Sequence, residues 1–377
     1  MWLICLHPTN FSNKPFLLST MQPTERLILG PKSRVSLLGS QAEDREIPTS
    51  LPITNVRTHP RDSDGKEDAS IFFIGTATTV LEWGGFRILT DPNFLHAGDH
   101  VHLGPGVTSR RKTNPAVDLD KLPQMDCILL SHYHEDHFDQ LVEDSLNRDF
   151  PIITTPHAKA CLTSESIPEP FRAIHALDVF ESILLEDPTS IHTDPTNGNS
   201  TTSVIRVTGM PGKHIPPGPL SVINDILSAV PPTNGWLLEL GWITTNCDHH
   251  FDQNTDEELK TGYRIYISGD TLFVDELKEI PERLNGKRID LMLVHLGGTT
   301  IPGPSAPLVM VTMDAKQGIQ MIHLIDPDIT IPIHFDDYDI FLSPLSDFKN
   351  EVEQEGLRER VVYLERGDQY RFTVQDS

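Results

Sequence analysis

Short hydrophobic runs, separated by glycine, proline and polar stretches, dominate the chain from Ser70 onward. Runs of about four to eight branched or aromatic residues between turn residues are typical of buried strands. Strands are predicted at 71–74, 79–83, 86–90, 127–130, 151–155, 204–208, 236–243, 263–268, 289–295, 329–333, 361–364 and 369–374, and helices at 141–146, 314–325 and 344–355. Because strands dominate and helices are interleaved and late, the pattern predicts an α/β fold in which two sheets lie between helices, a four-layer αββα sandwich.

Turn and cap residues support particular elements. Gly84 and Gly85 separate two strand-like runs and predict a hairpin. Asp314 is suited to cap the helix that begins there. The polar run 244–261 predicts an exposed excursion between two paired strands.

Residues 1–67 differ from the rest of the chain because they lack a clear hydrophobic period. Prolines punctuate them at 8, 15, 23, 31, 48, 52 and 60, and the run 61–68 is highly charged. Such a stretch predicts an irregular N-terminal extension that packs in part on the remainder. The regular domain is predicted to comprise residues 68–377.

Composition narrows the class of protein. A chain of 377 residues with 38% hydrophobic residues can form one large α/β unit with a sizeable core. Its net charge of −24 disfavours binding along a nucleic-acid backbone, which needs a basic surface. The four cysteines form no CxxC pair, which suits a reducing compartment. No transmembrane helix is predicted, and we expect a cytoplasmic protein, with a mitochondrial leader as the minor alternative.

The segment 131–137, Ser-His-Tyr-His-Glu-Asp-His, follows the predicted strand 127–130 at once. His132, His134 and Asp136 alternate, so they project to one side of an extended backbone. Imidazole and carboxylate are ligands that zinc prefers, and the end of a buried strand is a rigid base for them. The alternative is a solvated polar loop that contains several histidines. We favour a metal site.

One cluster cannot complete the ligand shells of two metal ions. Three further candidates, His214, Asp270 and His334, each follow a predicted strand. The ends of strands form the binding edge of an α/β sheet. Taken singly, each residue is as well explained as an ordinary loop residue, and only their joint pattern makes them candidates.

With these residues in this order, the chain resembles the metallo-β-lactamase superfamily over roughly residues 70 to 374. The HxHxDH motif of that family is carried by His132, His134, Asp136 and His137. The resemblance implies a hydrolase domain with two zinc ions per chain, manganese or iron being alternatives. It places His132, His134 and His214 on one ion, places Asp136, His137 and His334 on the other, and makes Asp270 a bridge between them.

Within the superfamily, the chain is most similar to the branch of ascorbate-6-phosphate lactonase and N-acyl-phosphatidylethanolamine phospholipase D. The similarity rests on Gly-Thr-Ala-Thr at 75–78, Leu-Thr-Asp-Pro at 89–92 and Met-Asp-Ala at 313–315. The chain departs from the branch at Ile215, where the phospholipase has Trp, and at His295, where lactonase-type chains often have Pro. These departures leave the substrate undefined.

The implied chemistry is attack by a hydroxide that the two zinc ions share. Asp136 would orient this hydroxide as well as ligate. His295 is a candidate for a proton-donating or supporting group, the alternative being an ordinary hydrogen-bonded histidine. Asp91 would orient a ligating imidazole, the alternative being a simple turn aspartate before Pro92.

The expected substrate is a small molecule with an ester, lactone, amide or phosphodiester bond. The alternatives are a nucleic-acid phosphodiesterase, a non-catalytic member of the fold, and flavin- or iron-based redox chemistry, whose iron-binding relatives keep Glu in place of His134. The histidines at 96, 100 and 102 would line the pocket mouth, whereas those at 249 and 250 are better explained by a solvated loop. Residues 215–219 and 222–230 form either a lid or a surface helix. No oligomeric state is predicted.

Overall fold

The computed structural model describes residues 25–30, 34–39, 46–60, 65–104, 106–193, 200–216, 218, 230–245, 259–303 and 306–375. Its strands are β1 (Glu25–Ile28), β2 (Asn55–Arg57), β3 (Ala69–Gly75), β4 (Thr78–Trp83), β5 (Phe86–Thr90), β6 (His100–His102), β7 (Thr108–Arg110), β8 (Cys127–Leu129), β9 (Ile152–Thr154), β10 (Ile174–Ala176), β11 (Ser182–Thr193), β12 (Ser200–Pro211), β13 (Asn234–Thr245), β14 (Lys260–Ile267), β15 (Leu291–His295), β16 (Thr300–Gly303), β17 (Ala306–Met310), β18 (Ile329–Ile333) and β19 (Asp368–Phe372). Its α-helices are α1 (Gln140–Ser145), α2 (Pro156–Leu162), α3 (Glu279–Leu284), α4 (Ala315–Ile325) and α5 (Leu345–Gln354).

Two large sheets contain most of these strands. The first has the order β1-β11-β12-β13-β14-β15-β18, and the second has the order β10-β9-β8-β5-β4-β3-β19-β2. Alternate residues of β3 show how they pack: Ile71 and Phe73 face the core between the sheets, whereas Phe72 and Ile74 face the helix layer of α1 and α2. Helices α3, α4 and α5 cover the outer face of the first sheet. The predicted four-layer αββα sandwich is therefore confirmed.

The strand directions bring the ends of several strands to one edge. In the second sheet β5, β8 and β9 run parallel, and in the first sheet β14, β15 and β18 run parallel. Strand β12 has the same direction as β14, because each pairs antiparallel with β13. Residues that follow these strands therefore gather where the carboxyl ends meet.

Most predicted elements are present. The hairpin around Gly84 pairs Thr79 with Thr90 and Trp83 with Phe86. The side chain of Asp314 accepts a hydrogen bond from the backbone of Gln317 and so caps α4, as predicted. The structure also contains elements that the sequence pattern did not predict, among them strands β10 and β11 and helices α2 and α3.

One predicted strand is wrong. Residues 361–364 form no strand, and only Val361 makes an isolated bridge, to Thr330. Val362 and Leu364 are buried in the core between the sheets. The hydrophobic pattern at 361–364 therefore reflects side chains that are buried in the core, and not a continuous strand.

Two short strands lie in the stretch for which the pattern predicts irregular structure. Strand β1 pairs with β11, and β2 pairs with β19, so each adds an edge to one of the large sheets. Both are mostly exposed, which removes the alternation that identifies a strand in a sequence. The division into residues 1–67 and 68–377 remains a prediction.

Some predictions fall on residues that the structure does not describe. Most of the excursion at 244–261, including His249 and His250, lies outside the described residues, and so does most of the segment 215–230.

Cys127 is a buried free thiol, as its hydrophobic neighbours predict. Burial, and after it the charge of Asp126, raises the pKa of this thiol. Within the described ranges, no helix has the length and hydrophobicity needed to cross a membrane.

Candidate metal centre

The seven predicted metal ligands lie together at the edge where the strands end. Those of the HxHxDH motif follow β8, and the others follow β12, β14 and β18. Their ligand atoms form overlapping groups in which all atoms lie within 4.8 Å of one another. The groups are His132 with His134 and Asp136, His132 with His214 and Asp270, and Asp136 with His137, Asp270 and His334.

The polar atoms at the centre lack partners. The Nε2 atoms of His132, His134, His137, His214 and His334 are buried and make no hydrogen bond of normal geometry among the described residues. Oδ1 of Asp136 is buried beside them, 3.2 Å from Nδ1 of His134. The Nε2 atoms of His137 and His334 lie 3.3 and 3.5 Å from Oδ2 of Asp270. Each buried polar atom without a partner costs about 1–3 kcal/mol. Metal cations would satisfy the whole set, and imidazole with carboxylate is the donor chemistry of zinc.

The opposite nitrogens of these rings are already engaged. Nδ1 of His214 lies 3.0 Å from the carbonyl oxygen of Val311, and Nδ1 of His334 lies 2.9 Å from that of Leu296. A carbonyl oxygen only accepts, so Nδ1 carries the proton and Nε2 carries the lone pair. These contacts hold both rings in the tautomer that a metal requires.

Asp91 supports the segment that follows β8. Its Oδ1 accepts from the backbone nitrogen of Ser131 at 2.7 Å, and its Oδ2 accepts from the Ser131 hydroxyl at 2.9 Å. The same Oδ2 lies 3.1 Å from Nδ1 of His137. Asp91 therefore holds one candidate ligand by its ring and the segment by its backbone, which agrees with the orienting role implied for it.

Asp270 is held through both carboxylate oxygens. Oδ1 lies 2.9 Å from Nδ1 of His295, and Oδ2 accepts from the Thr312 hydroxyl at 2.9 Å. His295 is fully buried, and its Nε2 has no hydrogen-bond partner in the described part of the chain. The structure thus places His295 as a support for Asp270, and a proton-donating role stays a prediction. Thr312 was missed because no local pattern marks a single threonine before a helix.

The charges of the centre shift the pKa values of its members. Burial lowers the pKa of His132 well below its ordinary value and that of His214 to about 4. Burial acts to raise the pKa of Asp270, but His334 and His137 outweigh it, so the pKa lies well below its usual range. These directions favour neutral His132 and His214 and an ionised Asp270, which is the state a metal ion binds. Burial acts to lower the pKa of His137 and of His334, but Asp270 and Asp136 outweigh it in the metal-free site and raise both.

The predicted mouth residues lie apart from these groups. The backbone nitrogen of His102 donates to Oε2 of Glu135 at 2.5 Å, which ties β6 to the HxHxDH segment. Nε2 of His96 pairs with Asp118 at 2.8 Å in an exposed position. In the described ranges, neither these residues nor His100 join a group with metal-binding geometry.

Comparison with known proteins decides the family. Residues 70–334 match the beta-lactamase superfamily domain. The chain belongs to the beta-lactamase superfamily. A metal-dependent hydrolase of Archaeoglobus fulgidus is 24% identical to this superfamily member over 302 residues, which cover 80% of this chain and 98% of the relative. The mitochondrial N-acyl-phosphatidylethanolamine-hydrolyzing phospholipase D of Saccharomyces cerevisiae is 34% identical over 94 residues, which cover 24% of this chain and 19% of that one.

A solved structure shares the fold of this superfamily member. The isothiocyanate hydrolase from Delia radicum gut bacteria superposes with a TM-score of 0.58 and 17% identity, covering 81% of this chain and 100% of that chain. The predicted superfamily and branch are thus confirmed, and the protein is a metal-dependent hydrolase of the metallo-β-lactamase fold.

Proposed function

We propose that this superfamily member is a zinc-dependent hydrolase that cleaves an ester, lactone, amide or phosphodiester bond of a small molecule at a two-metal centre. The observation that carries the proposal is the set of buried, unpartnered Nε2 atoms beside the Asp136 and Asp270 carboxylates. Imidazole and carboxylate in these numbers suit zinc better than calcium or magnesium, which prefer oxygen ligands.

The proposed division of ligands follows the groups of atoms. His132, His134 and His214 would hold one ion, and Asp136, His137 and His334 would hold the other. Asp270 belongs both to the group with His214 and to the group with His334, which supports a bridging position.

Bound zinc would supply Lewis acidity and a water molecule activated for attack at neutral pH. The protein residues would position the reactants. Asp136 has its Oδ2 3.5 Å from Nε2 of His334, and its buried Oδ1 lies 3.2 Å from Nδ1 of His134. Its carboxylate would orient the attacking water and accept its proton. His295 would keep Asp270 in place through Nδ1 and serve proton transfer through Nε2.

The substrate class rests on charge and on one relative. A net charge of −24 disfavours a polyanionic nucleic acid and favours a small molecule. The relative from Saccharomyces cerevisiae is named for hydrolysis of a phosphodiester lipid, and it aligns over about a quarter of this chain. A phosphodiester therefore belongs in any substrate panel, beside lactones, amides and thioesters.

The test is elemental analysis of protein purified without chelator, combined with hydrolysis assays before and after metal removal. We expect about two zinc ions per chain and turnover that returns when zinc is restored. A precursor tRNA belongs in the panel as a control, with activity measured at several salt concentrations. Well-folded protein without transition metal, inactive on every substrate, would refute the proposal.

A further inference from the structure

A buried arginine lies behind the candidate metal centre. Arg111 directly follows β7, and only 1% of it is exposed. Its Nη1 donates to the Thr76 hydroxyl and to Oδ1 of Asn93, and its Nε donates to the carbonyl of Thr113 at 3.1 Å. The ring of Tyr338 lies 5.1 Å from the guanidinium carbon. A guanidinium this deep requires compensating partners.

Asp337 supplies the compensating charge. Its Oδ1 lies 3.7 Å from Nη2 of Arg111, and both side chains are fully buried. The same oxygen accepts from Arg366 and Thr113, while Oδ2 accepts from the backbone nitrogen of Thr76 at 2.9 Å. Removing Asp337 would leave the buried guanidinium of Arg111 without its counter-charge.

The network holds a strained stretch of backbone. Thr76 has φ of 51°, His334 has φ of 59° and Asp336 has φ of 58°. Residues other than glycine rarely adopt these φ values, and such backbone conformations persist only when the surrounding structure holds them. The backbone nitrogen of His334 donates to the carbonyl of Thr76 at 2.7 Å. Thr76 is therefore held by Arg111 and Asp337 and in turn holds a candidate metal ligand.

The same arginine reaches the other ligand segment. Asn93 accepts from Arg111 through Oδ1 and donates through Nδ2 to the carbonyl of Glu135 at 2.9 Å. Glu135 lies between His134 and Asp136 in the chain. Asp136 and His334 belong to the same group of ligand atoms. By contrast, His132 and His214 are held by Ser131 and by the Val311 carbonyl, outside this network.

The glycine before Thr76 leaves room for the arginine. A Cβ at Gly75 would lie 3.3 Å from Nη2 of Arg111 and 3.1 Å from Nε of Arg366, and Gly75 has φ of 146°. In the Gly-Thr pair at the start of the 75–78 motif, Gly75 therefore leaves space for Arg111 and Thr76 accepts a hydrogen bond from it.

We infer that Arg111, paired with Asp337, is a positioning residue that selectively maintains the site of Asp136, His137 and His334, by clamping the loops that carry Asp136 and His334. The inference rests on the proposed two-metal function. A purely structural role would lower stability without distinguishing the two metal sites.

The experiment is a cobalt(II) titration of the metal-free protein against a competing chelator, followed by visible absorption, with circular dichroism as the check of folding. Wild-type protein should show two binding steps. Arg111→Met should weaken one step about 10- to 100-fold, the size of effect that residues supporting metal ligands have, and leave the other within about twofold. Arg111→Lys should recover part of the affinity, because lysine keeps the positive charge but lacks the several planar N–H donors of the guanidinium.

Two further variants keep the test decisive. Thr76→Val removes one hydrogen bond of the clamp with little change of volume and should weaken the same step, by less. Arg34→Met is the matched control, because Arg34 pairs with buried Asp126 at 2.6 Å at the opposite end of β8. It should change neither step.

The outcomes separate the two hypotheses. Wild-type protein that binds fewer than two ions overturns the proposed function and the clamp with it. Two steps in wild-type protein, weakened equally in folded Arg111→Met or in neither, overturn the clamp alone. If Arg111→Met does not fold, an unselective effect of Thr76→Val overturns it.

Discussion

The two sides of the metal centre are supported in different ways. On the side of His132 and His214, one ring contacts the Ser131 hydroxyl, which itself donates to Asp91, and the other contacts a backbone carbonyl. On the side of His137 and His334, the support includes the carboxylate of Asp91 and the buried pair of Arg111 and Asp337.

The backbone explains the difference. His334 has a left-handed conformation with φ of 59°, and so does its partner Thr76. Such conformations are strained, so they persist only when neighbouring groups hold them. Hydrogen bonds to charged groups are stronger than those between neutral groups, so a buried charged network holds this backbone better than neutral hydrogen bonds would. The site of His137 and His334 therefore depends on the buried pair of Arg111 and Asp337, which lies outside the proposed ligand set.

The largest effect should come from a ligand on the first side. His134→Ala removes one of three proposed imidazoles from its ion, so we expect loss of most bound metal and about a 10³-fold or greater loss of turnover, with the fold intact. Elemental analysis and circular dichroism check this. His96→Ala, which removes an exposed histidine paired with Asp118, is the control. Two metals per chain in His134→Ala would mean that His134 is no ligand.

Replacement of Asp270, the proposed bridging ligand, should slow turnover while some metal remains. Asp270→Asn keeps an oxygen that can ligate but loses the charge that would offset both ions, and it removes the carboxylate that faces Nδ1 of His295. We expect a rate loss of about 100-fold, measured as kcat in protein whose metal content is known. A wild-type rate in this variant would show that Asp270 is not the bridge.

A variant of Asp91 tests whether the two proposed metal sites depend on it to different degrees. In Asp91→Asn, the amide would present a donor to Ser131 or to His137, both of which need an acceptor. We expect affinity to fall about 10- to 100-fold for the ion proposed at His137, which Asp91 contacts directly, and to fall less for the ion proposed at His132, which Asp91 reaches through Ser131. Chelator competition measures both affinities. The control is Asp126→Asn, because Asp126 also accepts from a backbone nitrogen, that of Arg87, but at the far end of β8. Equal losses for both ions would remove the distinction between the sides.

Features that depend on neighbours in the chain could be predicted from the sequence. Strand β3 is buried on both faces, so its sequence is a hydrophobic run that identifies a strand. The candidate ligands could be identified because each follows such a run, at the ends of β8, β12, β14 and β18. Strands β1 and β2 could not be predicted, since they are exposed edges that depend on pairing with residues far along the chain.

The supporting residues escaped prediction for the same reason. Arg111 stands in a polar stretch with no distinguishing pattern, and its contacts to Thr76 and Tyr338 span 35 and 227 residues. A buried arginine cannot be told from an exposed one without the fold. Thr312 is a second example, because its contact with Asp270 spans 42 residues.

Thr312 gives the smallest and most specific expected effect. Its hydroxyl donates to Oδ2 of Asp270, the oxygen that also lies nearest to His137 and His334. Thr312→Val removes one hydrogen bond to a charged group with little change of volume, which corresponds to about a tenfold loss in kcat at unchanged metal content. Thr312→Ser keeps the hydroxyl and should retain most of the rate. If Thr312→Val and Thr312→Ser both keep the wild-type rate, the Thr312 hydroxyl does not orient Asp270.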